Sequence, residues 1–250
     1  MKVYVVTHKP CSNPLPPDYE YFQVNAAKNE VFYPLNDAIG SDNISEKNEN
    51  FCELTAAYWI WKNDKTNDIV GLAHYRRFLT TNRFSSDVKY YITSAKAEKL
   101  LKKYDFITTK EYKTVKTIRE HFSEEVLREK DLDTLREVIK DICPQYLGSY
   151  DGIMSGRKTH LLNMFICRKK EWDEYYSWLF SILDELEKRV DLTGYNSVQR
   201  RFYGYLGEFL FAVYLRQNNC RVKCYPVHIV GENKFSTAVR KVLRLIGIKT

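Results

Sequence analysis

His74, Tyr75, Arg76 and Arg77 stand side by side at the end of the apolar run Ile69 to Ala73, in the stretch IVGLAHYRRFL. Two adjacent guanidinium groups stay charged at any working pH and grip phosphate oxygens in a bidentate fork. Ligands of open α/β sheets bind beyond the carboxyl ends of strands, so arginines at a strand tip point to an anionic substrate. Gly71, inside the run, permits close approach of another backbone or of a ligand. Cleaving a sugar from a nucleoside diphosphate is one reaction with this need, because negative charge builds on the leaving phosphate as the bond breaks. Many sugar transferases meet it with a divalent cation held by Asp-x-Asp at an apolar strand tip. No Asp-x-Asp stands at an apolar strand tip here, and His-Tyr-Arg-Arg takes its place. The competing account is structural, with one arginine paired to a carboxylate and the other in solvent.

Common nucleotide signatures are absent. No GxGxxG follows the first apolar run and no GxxxxGK[ST] occurs, so neither a Rossmann dinucleotide site nor a P-loop is supported. Six cysteines, at 11, 52, 143, 167, 220 and 224, show no repeated spacing and read as thiols. Cys220, Cys224 and His228 come nearest to a metal cluster, but a fourth ligand is missing and packing in a strand accounts for them better. No metal site is assigned.

The elements that must position the arginines follow from periodicity. With 250 residues, 44% hydrophobic and 14% aromatic, the chain can bury a sizeable core, and no linker divides it. Lys2 to Thr7 reads as a strand, and Phe51 to Lys62 as a helix capped by Asn50 with Glu53 three residues on. Further strands are expected at 69–79, near 104–108 and over His160 to Arg168. Helices are expected at roughly 116–141, over Lys170 to Lys188 and over Leu206 to Gln217. This order gives an α/β fold, a sheet flanked by helices. One domain is expected over 1–230, followed by a basic amphipathic C-terminal helix over 231–250. That tail carries Lys234, Arg240, Lys241, Arg244 and Lys249 against Glu232 alone, and either packs on the domain or docks on an anionic membrane surface. The formal net charge of +7 sits largely there, and without a binding motif it does not make a nucleic-acid binder.

The run NISEKNENFCELTAAYWIWKN, Asn43 to Asn63, followed by VGLAHYRRF, resembles bacterial capsular and exopolysaccharide synthesis proteins long grouped as a domain of unknown function. The resemblance extends through THK near the start, NMFI at 163–166 and YYSWLFSILDELEK at 175–188. It implies a glycosyltransferase with a GT-A-like fold, a mixed central sheet flanked by helices. A UDP-sugar would be the donor, UDP-galactose in pyranose or furanose form being one candidate. The matched positions then take roles on the donor side: Thr7, His8 and Lys9 at the end of the first strand, Asn43 and Asn48 before the helix, and His74, Tyr75, Arg76 and Arg77 around the diphosphate. Ser45 beside them fits turn chemistry equally well. Val24 and Asn25 would meet the base, although the family tends to carry glycine where Asn25 stands. His160 and Asn163 fall on the acceptor side.

An inverting transferase needs a carboxylate to take the acceptor hydroxyl's proton. Glu208, at the expected start of a late helix, and Asp151, in SYDGIM, are the two candidates. A helix N-terminus would stabilise the Glu208 carboxylate and weaken it as a base, and Asp151 fits an Asx-turn equally well. The expected function is metal-independent, inverting transfer of a hexose to a saccharide acceptor, lipid-linked and presented at the inner face of the plasma membrane. No cofactor is expected beyond the donor, and a metal bound through Asp or Glu distant in sequence stays open. The chain is expected in the cytoplasm. The alternative is a noncatalytic nucleotide-sugar-binding subunit of a polysaccharide assembly complex.

Overall fold

The structure is a computed structural model that describes residues 1–231. The C-terminal helix expected over 231–250 therefore lies, apart from Gly231, outside the described residues. Ten strands occur among these: β1 Lys2–Thr7, β2 Tyr19–Gln23, β3 Ile69–His74, β4 Arg77–Leu79, β5 Phe106–Thr109, β6 Tyr112–Lys113, β7 Lys158–Thr159, β8 Phe165–Arg168, β9 Val222–Tyr225 and β10 Val227–Ile229. The helices are α1 Asn48–Phe51, α2 Leu54–Asn63, α3 Ser94–Leu101, α4 Ile118–Glu125, α5 Glu129–Ile142, α6 Leu147–Met154, α7 Lys169–Glu187 and α8 Phe202–Gln217.

The main sheet runs β2, β1, β3, β8, β5, β9, with β8 antiparallel to both its neighbours and the remaining pairs parallel. The fold is therefore mixed α/β, a central mixed sheet flanked by helices. Its two faces alternate along each strand. Tyr4 and Val6 of β1 with Val70 and Leu72 of β3 pack under α2, α7 and α8, whereas Val3 and Val5 with Ala73 pack towards Ala97 and Leu101 of α3. Aromatic residues fill the helical side: Phe165 stacks on Phe211 of α8 at 4.6 Å, and Trp61 stacks on Phe180 of α7 at 5.7 Å. Full burial of each such ring contributes on the order of 1.5–3 kcal/mol.

Four expected boundaries are corrected. The 69–79 strand is two strands, because His74 pairs with Arg77 across the two-residue turn Tyr75-Arg76. The helix expected at 51–62 breaks at Cys52, whose φ of 52° and ψ of −128° lie outside helical space. Asn50 and Glu53 consequently cap nothing: Asn50 Nδ2 donates to the Arg200 carbonyl at 2.7 Å, and Glu53 turns elsewhere. The strand expected from His160 begins only at Phe165, since Leu162 (φ 82°) and Asn163 (φ 47°) are left-handed. The last helix starts at Phe202 rather than Leu206, which moves Glu208 into its second turn, away from the N-terminal dipole. Gly71 serves the sheet: a Cβ there would come within 2.7 Å of Ile166 Cγ1 on β8.

Candidate functional site

A cavity of about 490 Å3 opens where β1 and β3 end. The chain leaves β1 for β2 on one side of it and returns as β3 on the other, so the crevice between their carboxyl ends is a topological switch point. His74 shares the helix-facing side of β3 with Val70 and Leu72, which aims its ring at α8.

One wall comes from Thr7 at the end of β1 and His8 after it, and from Val24 and Asn25 after β2. Asn25 has φ 62°, a conformation that glycine adopts freely and asparagine tolerates. That geometry suits asparagine as well as the glycine that the resemblance leads one to expect. The loop is fixed by Asp37, whose buried carboxylate accepts from Asn25 N (2.9 Å), Ala26 N (3.0 Å), Ser45 Oγ (2.5 Å) and Thr55 Oγ1 (2.6 Å). Ser45 is thus a scaffold residue, as is Asn43, whose Nδ2 donates to the Gly40 carbonyl at 2.7 Å.

A second wall is the break between α1 and α2. Asn48 Nδ2 donates to the Cys52 carbonyl at 2.7 Å and to Thr55 Oγ1 at 2.9 Å, holding a backbone that costs a non-glycine residue about 1–3 kcal/mol. The break delivers the Glu53 carboxylate to the cavity. Behind it, Asn163 Nδ2 donates to Glu53 Oε1 at 2.7 Å and to the Gly204 carbonyl at 3.0 Å. Helix α8 can come this near because Gly204 and Gly207 carry no side chain. A Cβ on Gly204 would lie 3.2 Å from Cys52 Sγ, and one on Gly207 would lie 2.9 Å from Asn163 Oδ1.

The third wall joins His74 to Glu208 through one left-handed residue. His74 Nε2 donates to the Leu162 carbonyl at 2.7 Å, and Leu162 N donates to Glu208 Oε1 at 3.0 Å. Donation from Nε2 leaves Nδ1 as the acceptor of a neutral ring, and burial holds the His74 pKa below its ordinary value. Burial first, and the Glu53 charge with it, push the Glu208 pKa up to about 8. The expectation of a dipole-stabilised, weak base is therefore reversed.

Two guanidinium groups complete the cavity, Arg77 at the start of β4 and Arg201 just before α8. Neither makes an ion pair among the described residues; Arg201 Nε donates to Cys52 Sγ at 3.4 Å, and its guanidinium lies 5.3 Å from the Tyr205 ring centre. Arg76 is exposed in the turn and is not part of the cavity wall. The structure thus gathers Thr7, His8, Val24, Asn25, Asn48, His74, Tyr75, Arg77 and Glu208 of the expected residues. Lys9 lies just outside, its ammonium 5.3 Å from the Tyr75 ring centre. Asp151 is elsewhere, within α6 and not in a turn, receiving Arg136 Nε and Nη2 at 2.8 Å each. His160 is also elsewhere, its Nδ1 donating to the Thr109 carbonyl at 3.0 Å. Cys220, Cys224 and His228 form no metal cluster; among the described residues no group of three His, Cys, Asp or Glu is placed to hold a metal ion.

Glu53, Arg201 and Leu162 were not singled out from the sequence. Glu53 looked like a cap, and Arg201 is indistinguishable in sequence from its neighbour Arg200, which pairs with Glu49 at 2.9 Å. A cavity lined by two guanidinium groups without an ion pair among the described residues and by a recessed carboxyl can neutralise a diphosphate and take up a proton.

The model of the family described as a domain of unknown function, DUF4422, matches residues 2–219. The chain belongs to this family. Among solved structures, this DUF4422 chain is similar to the apo form of the bifunctional glycosyltransferase WbbM, at 27% identity and a TM-score of 0.84. The match covers 92% of this chain and 45% of that one, so the DUF4422 chain spans under half the length of WbbM. No curated protein matches the chain.

Proposed function

We propose that the protein is a GT-A-like glycosyltransferase that moves a hexose from a UDP-sugar to a saccharide acceptor in capsule or exopolysaccharide synthesis. The observation that carries this is that Arg77, Arg201 and Glu208 line one cavity at the switch point of the sheet. The likeness to a bifunctional glycosyltransferase supports it.

In this reading the nucleotide lies along Thr7, His8, Val24 and Asn25. The diphosphate lies between Arg77 and Arg201, whose two charges stand in for a divalent cation. Glu208, ionised in the reacting complex, takes the proton of the acceptor hydroxyl. The acceptor oxygen forms its bond to the anomeric carbon as the bond from that carbon to the phosphate oxygen breaks, and the electron pair leaves on the phosphate held by the arginines. Attack from the side opposite the leaving group inverts the centre. Glu53, oriented by Asn163, hydrogen-bonds the donor sugar, and His74 holds the Leu162 peptide that positions Glu208.

The test is a transfer assay with UDP-, GDP- and CMP-sugars, each with manganese or EDTA. Transfer from a UDP-hexose that persists in EDTA is expected. No UDP release with any acceptor, or transfer only with manganese, would count against the reading. Among the described residues no helix is long and apolar enough to cross a membrane.

A further inference from the structure

A second concavity, of about 890 Å3, shares helix α8 and the segment before β8 with the first. Lys110, Lys113, Arg157, Lys158 and Arg216 line it, against Glu111 as its one acid. Lys158 Nζ approaches Glu111 at 3.9 Å, and the other four cations have no ion pair among the described residues. Its floor is apolar, with Ile153, Leu215 and Val222. The groove runs along β9 from Cys220 and Val222 at its amino end to Lys110 and Glu111 just past the carboxyl end of β5, which is the same end of the sheet as the cavity.

Two elements run through both spaces. On α8, Glu208 lines the cavity, while Ala212, Leu215 and Arg216 line the groove. Spacings of four, seven and eight residues put them on one face, with Arg216 about 12 Å along the axis from Glu208. On the segment before β8, Leu162 lines the cavity, and Lys158 and His160 line the groove. Anything lying in the groove therefore extends towards Glu208.

Arg216 is seated by a missing side chain. A Cβ on Gly152 of α6 would come within 2.5–2.9 Å of the guanidinium atoms of Arg216. Glycine inside a helix costs about 1 kcal/mol relative to alanine, and this one makes room for a cation that has no carboxylate partner.

We infer that this groove is the acceptor subsite and that it takes an acidic oligosaccharide, one carrying carboxylate or phosphate groups within a few sugar residues of the attacked hydroxyl. The inference rests on the glycosyltransferase reading and adds the chemical class of the acceptor. Charge selects an anion, since four unpaired cations face into one apolar-floored groove. Among the described residues the lining contains no Phe, Tyr or Trp, the stacking platform that single-stranded nucleic acid uses.

The test is calorimetric titration, without donor, of tetragalacturonate, of an uncharged galactose tetrasaccharide and of inorganic phosphate. Each is titrated into the full chain, its Arg157→Gln/Arg216→Gln variant and its Gly152→Ala variant. Both arginines are exposed, so the double variant is expected to fold. The acidic tetrasaccharide should bind at least about tenfold tighter than the neutral one. The double variant should lose at least about tenfold of that affinity, Gly152→Ala a smaller part, and added salt should weaken the rest. Equal binding of the two tetrasaccharides, phosphate binding as tightly as tetragalacturonate, or unchanged affinity in the double variant would overturn the inference. A melting shift with UDP, read on the same samples, reports the donor cavity separately. Its absence from the parent chain would count against the proposed function and leave the anion selectivity of the groove measured.

Discussion

Replacing Glu208 by Gln should stabilise the protein while removing its activity. The Glu208 carboxyl ionises near 4.5 in an unfolded chain and at about 8 in the cavity. Between those values the folded chain holds a proton that the unfolded chain has released, so stability falls as pH rises through that window. At roughly 1.4 kcal/mol for each pH unit, the full difference is on the order of 3 kcal/mol at pH 7. Part of the side chain is open to the cavity, and solvent screening reduces the expected gain to about 1–3 kcal/mol. Glutamine keeps the oxygen that accepts from Leu162 N and cannot ionise. Urea unfolding of parent and variant should agree near pH 4.5 and diverge steadily up to pH 8, the variant being the more stable. Turnover of the variant should fall by about 10²–10⁴, and kcat/KM of the parent should rise with pH through about 8. A stability difference that does not change with pH, or a variant less stable than the parent at pH 8, would refute the reasoning.

Alanine at Arg77 or Arg201 should lower kcat by about 10²–10³ each, with urea midpoints close to the parent's, because neither guanidinium carries an ion pair among the described residues. Arg76→Ala should fall well short of that loss in the same transfer assay. Asn25→Gly should keep its melting temperature, whereas Asn25→Val should lose about 1–2 kcal/mol in urea unfolding, since valine resists the left-handed conformation. Asp37→Ala strands two buried N–H groups and two hydroxyls and should cost on the order of 3 kcal/mol or more by the same measurement. Burial holds His74, His160 and His8 below their ordinary 6.5, with Lys9 and Arg201 adding to the effect on His8. The folded chain then binds fewer protons than the unfolded one at acid pH. Stability of the Glu208→Gln variant should therefore decline as pH drops below 6.5, a trend that urea unfolding from pH 7 to 5 would read.

Strand and helix content was legible where periodicity was unbroken: Lys2 to Thr7 as a strand and Lys170 to Lys188 as a helix differ from β1 and α7 by a residue at most. Legibility failed where a single residue leaves the expected backbone region. Cys52, Leu162 and Asn163 have positive φ with no glycine to announce it, and each such break brings a residue to the cavity. Glu53 reads as a capping acid because its spacing from Asn50 is right. The helix begins at Leu54, after the break at Cys52 that Asn48 holds through the Cys52 carbonyl, and the Glu53 side chain makes no cap hydrogen bond. Arg77 was visible at its strand tip. Its partner in the cavity, Arg201, lies more than a hundred residues away in sequence, and no local pattern links the two. Asp151 satisfied the demand for a carboxylate by residue type alone, and Arg136 on the neighbouring α5 answers for it.

The central claim is that guanidinium groups receive the diphosphate of a nucleotide sugar at the switch point of the sheet. A crystal structure of the protein grown with UDP tests it most directly. The account predicts the diphosphate between Arg77 and Arg201, with the uracil beside Val24 and Asn25 and Glu208 facing the open side. UDP bound outside the cavity, or a diphosphate bridged to acidic side chains by a metal ion while both arginines turn away, would contradict it.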